Sequence, residues 1–204
     1  MIEVSLPGAR VVFTTRAEGD VREAAGLTAV EAIAARPLAR GTQVHGTTVR
    51  TVHEHEPELE EADGQVTTRE DVAVMVQVAD CLPVAIAGEG GVAMIHAGWR
   101  GLAAGVLEEG VRALRAAGVE GELAAVIGPG ARGCCYEVGD EVREAFGTDH
   151  PKLDLPTEAA RRLVHAGVTQ IEDVAQCTIC HPEYFSYRRE GEAAGRQAGV
   201  AWRT

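Results

Sequence analysis

The sequence predicts an α+β fold, a layered domain and not a doubly wound parallel sheet. Apolar strand-like runs and amphipathic helix-like runs mix along the 204 residues without the strict alternation that βαβ units require. No P-loop is present. The chain is 46% apolar, and no linker, repeat or low-complexity segment divides it. Residues 1–204 are therefore expected to fold as one domain around a sizeable core.

The elements follow in order. ARVVFTT (9–15) is rich in β-branched residues and reads as a strand, and VREAAGLTAVEAIAA (21–35) carries apolar residues at helical spacing. TQVHGTTVRTV (42–52) reads as a strand covered on both faces, because Val44, Thr47 and Val49 do not alternate. DVAVMVQVA (71–79) and LPVAIAG (82–88) form a strand pair. Pro83 cannot donate to a central ladder, so a bulge or break is expected near Cys81. GVAMI (91–95) is a buried strand, and the segment after Gly101 is a helix ending at Gly118, which sets His96 to Arg100 on a strand-to-helix turn. ELAAVIG (122–128) is a strand, and VGDEVREAF (138–146) and TEAARRLVHAG (157–167) are helices. VAQCTIC (174–180) and EYFSYRR (183–189) read as closing strands.

Charge narrows the partners. The formal net charge is −12, which lacks the basic footprint a nucleic-acid binder needs. No apolar run is long enough to span a bilayer, and MIEVSLPGARVV shows no secretory pattern. The expectation is a cytoplasmic protein with reduced cysteines. Five cysteines are an odd number, which favours metal or thiol chemistry over a disulfide framework.

Three of the seven histidines and five cysteines sit at strand ends or breaks beside glycine or proline: His45 in QVHG, Cys81 in ADCLP and His96 in IHAGW. One thiolate and two imidazoles suit zinc and leave a fourth position open. The same residues admit a second reading, with Cys81 as nucleophile, His96 as its base and Asp80 nearby. CTICH (177–181) spells a haem-attachment motif, but that chemistry needs export. Its lone C-x-x-C lacks the second pair of a zinc ribbon, so Cys177 and Cys180 read as buried strand cysteines, and adjacent Cys134 and Cys135 as structural. The H-x-H at His53 to His55 reads as a solvated strand end. Arg16, Arg100, Arg188, Arg189 and Arg196 lie beside glycines or hydroxyl residues, and guanidinium groups suit phosphate. Arg100, next to a candidate ligand, is the foremost of them.

Taken together, QVHG, ADCLPV, HAGWRG, IGPG followed by CCYEVG, and CT…FSYRR…GRQ occur in this order in the laccase-domain (YfiH-like) family, which the chain resembles over about residues 42 to 198. That family goes under the names polyphenol oxidase, purine nucleoside phosphorylase and peptidoglycan editing factor. The resemblance implies an α/β/β/α domain with mixed sheets and a zinc site on His45, Cys81 and His96, with copper the lesser alternative. It further implies phosphorolysis of adenosine, inosine or methylthioadenosine with adenosine deamination as a side activity. On that expectation Asp80 and Arg100 are catalytic, Arg16, Trp99 and Arg188 bind substrate, and no obligate protein partner is needed. The alternatives it carries are a peptidoglycan-precursor editing amidase, a Cys/His hydrolase using Cys81, and a copper-dependent phenol oxidase. The chain departs from the family at its start, where the N-terminal segment is short and Glu18-Gly19 replaces a Gly-Gly pair. Ala194 stands where a Thr usually precedes GRQ.

Overall fold

The structure is a computed structural model that describes residues 1–53 and 58–204. Two six-stranded mixed sheets stack face to face, with helices on both outer surfaces, so the layers run α/β/β/α. The first sheet has the order β1 (Ile2–Leu6), β2 (Ala9–Phe13), β12 (Gln197–Arg203), β7 (Ala73–Val78), β3 (Leu38–Thr42), β5 (Glu58–Glu61). The second has the order β11 (Gln170–Asp173), β10 (Ala124–Ile127), β8 (Leu82–Gly88), β9 (Gly91–Ala97), β6 (Gly64–Thr67), β4 (Val49–Thr51). Helix α1 (Ala24–Ala34) covers the first sheet, and α3 (Val106–Ala116) and α5 (Leu155–His165) cover the second.

The central strands are apolar on every residue because both of their faces are buried. On β7, Val74, Val76 and Val78 point between the sheets while Ala73 and Met75 meet the α1 layer. On β9, Val92 and Met94 point between the sheets while Ala93 and Ile95 meet α3. The two-residue period then sends His96 toward the inter-sheet side, at the end of its strand. Helix α3 turns Val106, Leu107, Gly110, Val111 and Leu114 to β9. A Cβ on Gly110 would stand 2.9 Å from Ile95 Cδ1, so glycine lets the helix seat closely. Asp154 caps α5 by accepting from the Thr157 N–H, and Pro156 occupies its first turn.

The break expected near Cys81 is a change of sheet. β7 belongs to the first sheet and β8 to the second, and the chain crosses between them at Ala79–Cys81 with Asp80 at φ 82°. Pro83 faces Gly128, one residue past the last registered pair of β8 with β10, so its missing N–H interrupts no ladder.

Several elements differ from the sequence reading. Of TQVHGTTVRTV, only Thr42 and Val49–Thr51 are in strands; His45 lies in a turn at φ 61° because its neighbouring N–H groups bond to a side chain and not to a ladder. VAQCTIC is a loop touching Gly130 through one bridge. EYFSYRR is not a strand: Ser186 accepts from the Arg189 N–H and starts the short helix α6 (Tyr187–Glu190). The helix expected after Gly101 begins earlier as α2 (Trp99–Ala104) and restarts as α3 after Gly105 at φ 99°. Helix α4 (Asp140–Phe146) lies where expected. β1, β3, β5, β6, β11 and β12 are strands the sequence reading passed over. His53 is exposed, and His55 lies outside the described residues.

Candidate metal centre

Three segments distant in sequence converge at one end of the inter-sheet space. The Nδ1 or Nε2 atoms of His45 and His96 and the Sγ of Cys81 lie within 4.8 Å of one another and could hold a metal ion. The residue that organises them is Asp63, fully buried just before β6. Its carboxylate accepts the N–H groups of Val44, His45 and Gly46 at 3.2, 2.9 and 2.7 Å, which bends the chain into the turn that presents His45. It also bonds His96 Nδ1 at 2.7 Å, which leaves Nε2 as the ligand atom. A carboxylate behind a histidine ligand is the usual support of a metal-binding imidazole. The two imidazole rings meet edge to face, with centroids 4.8 Å apart.

The glycines of HAGWRG make room for this packing. A Cβ on Gly98 would lie 2.9 Å from His45 Cδ2 and 3.0 Å from Cys81 Sγ, and one on Gly101 would lie 2.6 Å from the Gly46 carbonyl oxygen. Of four non-glycine residues at positive φ among the described residues, His45 and Asp80 are at this site, a placement that costs roughly 1–3 kcal/mol each and concentrates where geometry is functional.

The electrostatics follow from burial and neighbours. Burial pushes the Cys81 thiol up, but the His96 charge and hydrogen bonds from His45 and His96 outweigh it and bring its pKa down to about 6. Burial pushes His96 down, while the Cys81 thiolate and Asp63 raise it to about 9. Burial raises Asp63, and His96 with the turn's N–H groups more than reverses this, so it stays ionised. Without metal the site is a thiolate–imidazolium pair backed by a carboxylate. Three soft or borderline donors with an open side fit zinc. The same His2Cys set also fits copper.

The open side is a cavity of about 540 Å³ lined by these residues and by Arg100, Arg188 and Arg196, which gather cationic charge in an acidic protein. Arg100 lies 4.3 Å over the Trp99 ring and reaches Glu141 at 3.4 Å. Trp99 also packs against the helical core. Arg188 donates to the Glu137 carbonyl at 2.7 Å and lies 5.0 Å over Tyr136. Burial, and then the Cys81 charge, push the Tyr136 hydroxyl up to about 12, so it stays protonated. Asp80 accepts from Thr178 Oγ1 at 2.6 Å, Ser186 Oγ at 3.1 Å and the Arg188 N–H at 2.7 Å. Arg16 does not line the cavity. It is held by Glu190, the Tyr184 carbonyl and the face of Phe185.

The sequence reading missed Asp63 and Tyr136. Asp63 follows an alanine in an acidic stretch and looks like a turn residue; only its burial distinguishes it. Nor does the C-x-x-C stand alone, as the sequence reading had it: Cys134 and Cys135 are its second pair, with all four sulfurs within 4.8 Å. Of the two cysteines read as buried in a strand, Cys177 is buried but in a loop, and Cys180 is exposed.

The profile of the family described as "Multi-copper polyphenol oxidoreductase laccase" matches residues 17–204. A purine nucleoside phosphorylase of Aquifex aeolicus is 38% identical over 148 residues, covering 70% of this chain and 71% of that one. Purine nucleoside phosphorylase YfiH of Escherichia coli is 37% identical over 176 residues, covering 78% and 71%. The crystal structure of Neisseria meningitidis protein NMB0706 superposes with a TM-score of 0.85 at 30% identity, covering 99% of this chain and 98% of that one. With motif order, layer order and sequence in agreement, the chain belongs to the multi-copper polyphenol oxidoreductase laccase (YfiH-like) family.

Proposed function

We propose that this protein is a zinc-dependent purine nucleoside phosphorylase acting on adenosine, inosine or methylthioadenosine, with adenosine deamination as a side activity. The observation that carries the proposal is one cavity lined by the His45, Cys81 and His96 donors together with Arg100, Arg188 and Arg196. The names of the Aquifex and Escherichia relatives support the phosphorylase part of this reading. In phosphorolysis a phosphate oxygen bonds to C1′ of the ribose, the bond from C1′ to the purine nitrogen breaks, and the base leaves with a proton.

A zinc held by His45, Cys81 and His96 would supply Lewis-acid polarisation beside the cavity. The chain's residues do the rest. Arg100 and Arg188 grip phosphate with paired N–H donors. Tyr136, kept protonated, can donate a hydrogen bond into the cavity. Trp99 backs Arg100 through its ring face, so its part in substrate binding is to place that cation. Asp80 has both oxygens occupied by donors and works as a positioning residue for Arg188 and the loop bearing Thr178. The test is a zinc-loaded preparation given adenosine, inosine or methylthioadenosine, each with and without phosphate. Phosphate-dependent release of the free purine base supports the reading; no release from any of the three nucleosides overturns it.

A second reading has its own observation. Cys81, His96 and Asp63 form a nucleophile, base and orienting carboxylate, the arrangement of a thiol hydrolase such as a cell-wall precursor editing amidase. Metal that is bound to the purified chain and lost in Cys81→Ser counts against it, because a metal-bound thiolate is not a free nucleophile. Multi-copper phenol oxidation has less support. Among the described residues the histidines brought together are His45 and His96, which with one cysteine hold one ion and not a copper cluster.

A further inference from the structure

We propose that Cys134, Cys135, Cys177 and Cys180 form a second, structural metal site that takes a tetrahedral thiophilic cation, zinc, and clamps together two loops whose neighbouring residues Tyr136 and Thr178 reach the cavity and its Asp80. The sulfurs of Cys134 and Cys180 are 3.4 Å apart, those of Cys134 and Cys135 3.3 Å, and those of Cys135 and Cys177 3.9 Å. The edge of a tetrahedron with zinc–sulfur bonds of about 2.3 Å is about 3.8 Å. Cys135 and Cys180 stand at bonding distance as a disulfide, yet their Cα atoms are 7.1 Å apart, wider than disulfide-linked positions usually allow. A single Cys135–Cys180 bridge would also leave Cys134 and Cys177 as thiols against it, whereas one cation uses all four sulfurs.

The surroundings suit that cation. Cys177 is buried while Cys134 and Cys180 are exposed, which leaves an entry path from solvent. Lys152 donates to the Cys134 carbonyl at 2.9 Å, and Arg132, though paired with Asp173, still lies close enough to interact with the Cys177 charge, so positive groups stand near the thiolates. The two loops already run side by side, with Gly130 N–H donating to the Gln176 carbonyl and Thr178 N–H to the Gly130 carbonyl. Neither loop is part of a helix or sheet strand, so a metal crosslink adds a covalent-strength tie to the few backbone bonds that join them.

The clamp bears on the cavity through the residues next to its ligands. Thr178, beside Cys177, donates to Asp80, which in turn holds the Arg188 N–H. Tyr136, beside Cys135, lies under the Arg188 guanidinium. The second cation thus sets the position of Arg188 without touching the cavity. This site stands independently of the phosphorylase reading, because it concerns metal content and not turnover.

The test is metal binding to the Cys81→Ser chain, which removes the central ligand of the first site. The protein is reduced, freed of metal by a chelator and titrated with Co²⁺, then with Zn²⁺. The expected result is about one equivalent bound, with the strong thiolate-to-cobalt charge-transfer absorption of a four-sulfur set. Adding Cys134→Ser and Cys177→Ser should abolish that equivalent and its absorption. The proposal is overturned if the reduced Cys81→Ser chain, with all four thiols titratable, binds no stoichiometric metal. It is also overturned if the triple variant, folded by circular dichroism, keeps the same absorption, or if Cys135 and Cys180 stay disulfide-linked in reductant. The titration of Cys81→Ser decides the matter even where the triple variant fails to fold.

Discussion

Replacing Asp63 by asparagine changes one atom and disturbs both the turn and the ligand. The native carboxylate has four donors on two oxygens: the His45 N–H and His96 Nδ1 on one, the Val44 and Gly46 N–H groups on the other. An amide has one acceptor oxygen. If that oxygen stays on the His96 side, the amide N–H₂ faces the N–H groups of Val44 and Gly46, and unmet hydrogen bonds in a buried place cost about 1–3 kcal/mol. If the amide turns over, its N–H₂ faces His96 Nδ1, which must then accept. The imidazole proton moves to Nε2, the atom needed by the metal. Both outcomes weaken metal binding, and loss of such a supporting carboxylate costs about 10–100-fold in affinity. Stability in acid should change as well. The folded-state pKa of Asp63 lies below its unfolded value, so its stabilisation is present above the ordinary aspartate range and is lost as pH falls through the depressed value. Asp63→Asn should therefore be less stable at neutral pH and lose less on acidification. Zinc competition against a chromophoric chelator reads the affinity, and urea unfolding of the metal-free chain across pH reads the rest. A variant whose zinc affinity stays within about twofold of the parent would refute the role given to Asp63.

Three further outcomes are expected. Gly98→Ala should lower zinc affinity by about tenfold or more while the unfolding midpoint of the metal-free chain moves little, because the added methyl meets His45 and Cys81 and not the core; unchanged affinity by the same competition assay would show that the ligands give way freely. Iodoacetamide should label Cys81 in metal-free protein at nearly its full rate at pH 7 and fall off below about pH 6, since the thiolate is the reactive form; a rate that still climbs between pH 7 and pH 9 contradicts the ion pair with His96. Arg100→Lys keeps the charge and loses the planar grip, so the apparent phosphate affinity in phosphorolysis should fall about tenfold while zinc content holds and deamination suffers less; equal loss of both activities would make Arg100 a support of the α2 turn.

Much of this protein is legible along the chain because the physics there is local. Continuous apolar runs such as Ala73–Val78 and Gly91–Ala97 announce strands buried on two faces, and the spacing of Val106, Leu107, Val111 and Leu114 announces a helix with one buried side. Pro83 announces a break, and glycines beside His45 and His96 mark places where chains come close. Short or edge strands such as β1 and β11 are not legible, since their pairing and not their composition makes them strands. EYFSYRR has strand composition and yet forms a helix, because Ser186 and Asp80 supply its first turn with acceptors. The site divides in the same way. His45, Cys81 and His96 were readable as candidates from residue type and turn context. Their support by Asp63, the capture of Asp80 by Thr178 and Ser186, the withdrawal of Arg16 to Glu190 and the gathering of four cysteines are all decided by contacts across tens of residues. A side chain's role depends on what removes it from water and which donors meet it there, and in this chain those partners come from other segments.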